Sequence, residues 1–319
     1  MTMNTTQTLT RPERQIAIGG PRPRPDSSAG DAVLAYLRAQ AQAMTSLEPR
    51  VRADEFDSVH QMRVAIRRLR AALRTFALVI PDTDSQHLAG ELQWLGRLLG
   101  QARDGEVLAG HLGDSLHTVE SELLIGPVQA RVQGHYAPRR AAAHDELLAA
   151  LDSPRYARLL AELDRVTAGP PRGPQAAAPA RDILPLAVRH AYRQAQRRMR
   201  RARHMPAGPG RDIALHRARK SARRARYAAE AATPAVGPQA RRFARQMKKV
   251  QSALGDHQDA VLARHEARVL GIGAHLADEN AFTYGLLYEL ELHRAEQRQA
   301  DARRVWRHAA RRRYRRWMN

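Results

Sequence analysis

Apolar residues recur along most of this chain every three or four positions, which is the spacing of one face of an α-helix. The clearest run consists of Val59, Met62, Ile66, Leu69, Leu73 and Phe76. The pattern and its breaks predict helices over about residues 31–48, 57–79, 82–119 and 128–166, then over 181–204, 211–233, 238–270 and 278–317. Aromatic residues are only 5% of the chain and alanine is abundant, which favours helices over sheets. We therefore predict an all-α fold.

Proline-rich stretches divide the chain. Residues 1–30 are polar and contain Pro-Arg-Pro-Arg-Pro, which is typical of a disordered arm. Residues 168–180 hold four prolines and two glycines, so this stretch is the expected linker. We predict one helical bundle over 31–167 and a second over 181–319. Asp31 is the expected N-cap of the first helix, and Pro49 is expected to lie just beyond its end.

The sequences on either side of the linker repeat each other. At an offset of 156 residues, His60, Arg63, Arg67, Arg68 and Arg70 are matched by His216, Arg219, Arg223, Arg224 and Arg226. At an offset of 155 residues, Leu99-Gly100 and Asp104 are matched by Leu254-Gly255 and Asp259. The repetition predicts a duplicated helical unit, that is, two similar bundles related by pseudo-two-fold symmetry.

The first repeated helix carries a row of positive charge beside its apolar face. At about 100° per residue, one narrow stripe holds His60, Arg63, Arg67, Arg70 and Arg74. No acid occurs between positions 59 and 79, and like charges at these spacings repel one another. The row is about 21 Å long, so it suits a chain of phosphates better than a single one. The alternative is an ordinary solvated face.

The second repeated helix has the same row. His216, Arg219, Arg223 and Arg226 occupy matching angles, and Lys220, Arg217 and Arg224 widen the charged surface. Its apolar face is made of Ala218, Ala222, Ala225 and Ala229, which permits close packing. If the halves are related by a two-fold axis, the two rows could converge into one basic groove or channel.

The overall charge also points to an acidic partner. Lys and Arg number 53 against 32 acids, for a net charge of +21, and only three of the basic residues are lysines. Arginine suits phosphate because its planar fork donates paired hydrogen bonds. The chain has no cysteine, no apolar run long enough for a membrane span and no apolar signal-peptide core at its start. We expect a cytoplasmic protein without a disulfide, a thiolate site, a cofactor or a membrane contact.

The second repeated segment supplies one acid to each half. Asp104 and Asp259 could orient an arginine of the charged rows through a charge-assisted hydrogen bond. Gly100 and Gly255 would then allow close approach between helices. The alternative is that both segments serve packing alone; direct catalysis is not expected from them.

The repeated motifs resemble those of the CHAD domain, the conserved histidine α-helical domain. The resemblance rests on VHQMRVAIRRLRAALRTF (59–76), LHRARKSARRARYAAE (215–230), LGQARD (99–104) and LGDHQD (254–259), and extends over about residues 30–317. It implies two four-helix bundles with pseudo-two-fold symmetry, binding of inorganic polyphosphate and association with polyphosphate granules. The ligands it implies are His60, Arg63, Arg67, Arg70, Arg74, His216, Arg219, Lys220, Arg223 and Arg226. The family's N-terminal triphosphate-tunnel catalytic domain is not found in this sequence, so we expect binding without catalysis.

Two other functions fit parts of the sequence. A nucleic-acid-binding protein would use the same charge, because backbone phosphates dominate such affinity, although the rows lack interleaved aromatic residues for base stacking. An enzyme of phosphate chemistry could use His60 or His216 as phospho-acceptor or general acid. Neither a set of nucleophile, base and acid nor a clustered set of metal ligands is visible in the sequence.

Overall fold

The structure is a computed structural model that describes residues 27–80, 82–170 and 173–319. In these ranges the chain forms nine α-helices and no strand. They are α1 (Ala29–Arg52), α2 (Ser58–Thr75), α3 (Asp82–Leu116), α4 (Val128–Leu151), α5 (Pro154–Ala168), α6 (Ala180–His204), α7 (Pro209–Val236), α8 (Pro238–His275) and α9 (Phe282–Ala309). Three 3-10 turns cover Ser121–Leu123, Arg312–Tyr314 and Arg316–Met318. The predicted all-α class is confirmed.

The apolar faces read from the sequence are the buried faces of the helices. In α2, Met62, Ile66 and Leu69 are fully buried, and the alanines of α7 at 218, 222, 225 and 229 are equally inaccessible. Burial of each large aliphatic side chain contributes about 1.5–3 kcal/mol. The small alanine face lets α7 pack closely against both α6 and α8. This packing fixes the rotation of α2 and α7 about their axes, and so fixes the direction of their arginines.

Three predicted boundaries differ from the structure. Ser28, and not Asp31, caps α1, because its hydroxyl accepts a hydrogen bond of 3.0 Å from the backbone N–H of Asp31. Pro49 and Pro234 lie inside the last turns of α1 and α7 instead of ending them. Near a helix end, a proline sacrifices one backbone bond, and the burial of Val51 beyond Pro49 offsets that loss.

Within the predicted linker, the described residues between α5 and α6 are non-helical and closely packed, and Ala168 and Ala180 belong to the two helices. Between the ends of α5 and α6, Gly173 N–H donates to Val79 O at 3.2 Å, and Gln175 N–H donates to Leu78 O at 2.9 Å. Ala29 N–H, at the start of α1, donates to Ala178 O at 2.7 Å. The segment therefore ties the start of α1 to the end of α2. Of the predicted disordered arm, residues 1–26 lie outside the described residues, whereas Ala29 and Gly30 already belong to α1.

The two predicted bundles share one hydrophobic core. Helices α1–α5 form the first half and α6–α9 the second, so the described first half has five α-helices where four were predicted. Helix α2 packs against α7, α3 against α8, and α1 against both α6 and α7. The main core contains buried residues of all these helices, including Met62 and Ala225. A smaller core joins the far ends of α3 and α4 to those of α8 and α9 through residues such as Leu112 and Leu287.

Candidate functional site

The two charged rows meet between α2 and α7. The pKa of Arg223 is lowered to about 9 by burial of its guanidinium and by the positive charges of Arg67, Arg219 and Arg63. Two of these neighbours lie on α2 and one lies on α7 itself. The rows are therefore brought together, and do not point into separate regions of solvent.

The convergence continues toward the end of α2. Burial lowers the pKa of Arg70, and the nearby charges of Arg74 and Arg224 lower it further. Burial also lowers the pKa of Arg224, followed by the charges of Arg74 and of Arg198 on α6. We call this region the arginine groove and define it by Arg63, Arg67, Arg70, Arg74, Arg219, Arg223 and Arg224.

Uncharged partners position two of the groove arginines. Arg70 Nη2 donates to Gln93 Oε1 of α3 at 2.5 Å, and Arg224 Nη1 donates to Gln194 Oε1 of α6 at 2.7 Å. An amide oxygen orients a guanidinium without neutralising its charge. These arginines are thus held in place while most of their positive charge remains available.

The repeated acidic segments contact the groove through their glycines in both halves, and through an acid as well in the first half. Arg63 Nη1 donates to Asp104 Oδ1 at 2.7 Å. Its guanidinium lies so close to Gly100 that a Cβ there would be 3.2 Å from Arg63 Nη2. In the second half a Cβ at Gly255 would be 3.3 Å from Arg219 Nε. The glycines thus make room for a guanidinium, whereas the sequence suggested that they allow two helices to approach closely.

Asp259 occupies the place in the second half that Asp104 has in the first. Burial raises the pKa of the Asp259 carboxyl, while the charges of Arg219 and His111 lower it. The carboxyls of Asp104 and Asp256 are also close enough to raise it. One end of the groove is therefore bordered by carboxylates from both halves, and the end near Arg74 and Arg224 has no such border among the described contacts.

The two predicted histidines lie at the start of the rows and are partly buried. Burial lowers the pKa of His216, and the charges of Lys220 and Arg219 lower it further, while a hydrogen bond with Gln258 has the opposite effect. His216 is therefore neutral near pH 7. It acts there as a hydrogen-bonding group and contributes no positive charge to the row. The ammonium of Lys220 is exposed beside it.

Arg226 is the predicted ligand that the structure places elsewhere. Only 3% of the residue is exposed, and its Nε donates to Glu230 Oε1 at 2.7 Å. Arg68 of α2 donates to Glu230 Oε2 at 3.2 Å, so one carboxylate accepts hydrogen bonds from arginines of both halves. Both guanidiniums also lie over the ring of the buried Tyr227. The position of Arg226 fits a structural contact between the halves, which corrects its assignment to the ligand set.

Arg198 of α6 was missed by the sequence reasoning. Nothing in the repeat marks it, because α6 carries no copy of the motif and its arginines form a nearly unbroken series. The position of Gln194 one turn earlier, opposite Arg224, was the available signal that this face of α6 adjoins the groove. Within the described ranges, no three acidic or histidine side chains are grouped to hold a metal ion. No helix in those ranges is long and apolar enough to cross a bilayer.

Comparison with protein families supplies independent information. A sequence model described as the CHAD domain matches residues 35–268. Two uncharacterized proteins of Mycobacterium tuberculosis, MT2285 of strain CDC 1551 and Rv2226 of strain H37Rv, are each 35% identical over 280 residues. Each alignment covers 87% of this chain and 52% of the relative, so the chain spans about half the length of these curated relatives.

Two solved structures are similar to this one. The structure of PptA from Streptomyces chartreusis has a TM-score of 0.75 at 23% identity, covering 88% of this chain and all of that one. The CHAD domain from the plant Ricinus communis has a TM-score of 0.66 at 28% identity, covering 89% of this chain and 92% of that one. The first similarity concerns the fold alone, and the second adds a structure of the same domain type.

Proposed function

The chain belongs to the CHAD domain family, and on that premise we propose that it binds inorganic polyphosphate in the arginine groove without catalysing a reaction. The family resemblance implies this ligand, and the groove supplies the chemistry to hold it. We further propose that binding places the protein at polyphosphate granules. The proposed ligand set is His60, Arg63, Arg67, Arg70, Arg74, His216, Arg219, Lys220, Arg223 and Arg224.

The observation that carries this proposal is the meeting of like charges at Arg223. A partly buried guanidinium is costly unless an opposite charge lies beside it. Among the described residues, Arg70, Arg74 and Arg223 form no ion pair with a carboxylate. An anion lying between α2 and α7 would neutralise groups of both halves at once.

The shape of the site favours a linear polyanion. The row on α2 extends over about 21 Å, and α7, which carries the other row, packs against α2. Successive arginines along each row lie about 5 Å apart along the helix axis. A single phosphate would neutralise one or two of them, whereas a chain of phosphates can contact the whole groove.

Nucleic acid is the alternative ligand, and one contact argues against it. Tyr227 lies close to Arg223 of the groove, and it is 1% exposed beneath Arg68 and Arg226. It is therefore not available to stack on bases, which proteins that bind single strands commonly require. Polyphosphate is expected to displace bound nucleic acid at equal phosphate concentration, and the reverse displacement is expected to be weak.

Replacement of Arg63, Arg67, Arg219 and Arg223 by alanine tests the proposal. We expect the variant to lose polyphosphate binding, because two arginines from each row are removed, while circular dichroism stays helical. Binding by the wild-type chain is expected to weaken steeply with salt, since each neutralised phosphate releases counterions. Fluorescence titration with labelled polyphosphate at several salt concentrations measures both effects.

A charge-matched variant controls for the loss of net charge. The control replaces four exposed arginines outside the groove by alanine, namely Arg241, Arg242, Arg307 and Arg312. It removes the same number of positive charges as the groove variant. This control is expected to retain binding. Unchanged binding in the groove variant would exclude the groove as the site, and release of phosphate from polyphosphate by the purified protein would contradict the absence of catalysis.

A further inference from the structure

A second basic site lies between α6 and α7, beside the turn that joins the two helices. Here a small open-sided depression, with a volume of about 30 Å³, forms between residues on both sides of that turn. It is lined by Arg198, Arg201, Met205, Gly210, Ala214 and Arg217. Three arginines therefore line it beside apolar residues, an arrangement that the repeated motif does not predict. We call it the hairpin pocket.

The arginines of the hairpin pocket have no acidic counterpart. In the described part of the chain, none of Arg198, Arg201 and Arg217 forms an ion pair with a carboxylate. The nearest acid in the sequence of α7, Asp212, is occupied by His257 and Arg264 of α8 instead. Three unneutralised guanidiniums around one depression repel one another, so an anion bound among them would be stabilised.

The wall of the pocket is formed before any ligand arrives. Arg211 Nε donates to the carbonyl of Met205 at 2.8 Å, which fixes the turn between the helices. A Cβ at Gly210 would lie 3.2 Å from Met205 Cε, so glycine allows the methionine to close the floor. A preformed site binds without the cost of ordering its loop.

The pocket is continuous with the arginine groove. The charge of Arg198 acts on Arg224, and Arg224 in turn lies within range of Arg74 at the end of the α2 row. Along α7, Arg217 and Arg224 are two turns apart, a distance of about 10.5 Å. A polyanion leaving the groove past Arg74 therefore meets positive charge all the way to the pocket.

The geometry points to the hairpin pocket as the binding site for the terminal phosphate of a polyanion chain whose body lies in the groove; this inference rests on the proposed function. A terminal phosphate has three non-bridging oxygens where an internal phosphate has two, and the pocket offers three guanidiniums. The depression is small and is lined by residues on both sides of the turn between α6 and α7, which suits the single end group of a chain better than a passing segment. Free inorganic phosphate presents the same chemical group and is the alternative source.

The test uses long-chain polyphosphate with free ends and the same polymer with both ends esterified. We expect the wild-type chain to bind the polymer with free ends about tenfold more tightly than the esterified polymer, because esterification removes charge-assisted hydrogen bonds to the terminal phosphate. The variant Arg201→Ala/Arg217→Ala changes two exposed residues and is expected to bind both polymers equally. Arg241→Ala/Arg242→Ala, at two exposed positions near the start of α8, is the charge-matched control and is expected to keep the tenfold difference.

Each outcome decides the assignment. A pocket variant that still prefers free ends, or a wild-type chain without that preference, would overturn it. Inorganic phosphate at a concentration equal to that of the chain ends is expected to leave the preference in place, because an end tethered in the groove has a far higher effective concentration at the pocket. If that concentration abolishes the preference, the pocket is a site for free phosphate and not for a chain end. A wild-type chain that binds neither polymer would contradict the proposed function itself, which is a different result from binding without end preference.

Discussion

At the scale of single residues, Arg223 shows how the site is kept at the expense of stability. Its guanidinium is partly removed from water and faces Arg63, Arg67 and Arg219, so its charged form is disfavoured. The pKa of about 9 in the folded protein lies below the ordinary value, which means that the charge opposes folding. A group of this kind is expected at a binding site, where the ligand supplies the missing counter-charge.

Replacing Arg223 by methionine is expected to stabilise the unliganded protein and weaken its binding. Removal of an uncompensated buried charge contributes about 1–3 kcal/mol to the free energy of unfolding. The gain should be full below pH about 9 and should shrink above it, because wild-type Arg223 loses its proton there. Thermal unfolding at several pH values, with and without polyphosphate, measures both effects. A destabilised variant would contradict this account, and Arg241→Met, at an exposed position, serves as the control.

At the scale of helices, α3 and α8 act as supports for the arginine rows. Each supplies a glycine against which a guanidinium lies, and one of them, through Asp104, also supplies a carboxylate at 2.7 Å from Arg63. The acid and the glycine lie about one helical turn apart, on the same face. The arginine is therefore held between an open backbone surface and a charge, which sets its direction toward the groove.

The variants Gly100→Ala and Gly255→Ala test this support. An alanine Cβ would crowd the guanidinium of Arg63 or Arg219 by a few tenths of an ångström, so we expect polyphosphate affinity to fall several-fold. Stability should hold or rise by up to about 1 kcal/mol, because alanine favours the helix over glycine. Gly90→Ala and Gly273→Ala, in the same two helices, meet no atom within 4 Å and are the controls. Equal affinities in all four variants would argue against the support role.

The sequence predicted the elements better than their spatial relations. Helical periodicity identified α2 and its buried face, because that signal depends on local spacing alone. It misplaced the end at Pro49, where burial of neighbouring residues outweighs a local preference. It also grouped Arg226 with the ligands, because an identical angle on a helix does not reveal that Glu230 and Arg68 lie opposite. The part played by Arg198 depends on the packing of α6, which no repeated motif encodes.

At the scale of the whole molecule, the groove lies where the two halves join. One core extends through both halves, and the helices that carry the motifs pack against each other across the junction. Neither half alone could present both rows of arginines. Because the curated relatives are about twice as long as the matched region, the groove is expected to serve as a targeting module that can be combined with other sequences.

Location in the cell tests that targeting role. A fluorescent fusion of the wild-type chain is expected to collect at polyphosphate granules, because a granule offers a dense array of the proposed ligand. The variant lacking Arg63, Arg67, Arg219 and Arg223 should remain dispersed, and the charge-matched variant should collect as the wild type does. A wild-type fusion that stays dispersed in granule-containing cells would contradict the proposed location.

The carboxylate of Glu230 has a consequence for the ancestry of the chain. In the sequence repeat, Glu230 stands where the first half has Arg74, so one former copy now carries an anion where the other kept a cation. That exchange lets Arg68 and Arg226 share a partly buried counter-ion, which two copies of the first repeat could not reproduce. We expect a symmetric pair assembled from the first repeat alone to lack this counter-ion where its copies meet, whereas a pair assembled from the second repeat would keep it and lose the arginine that Arg74 supplies to the groove.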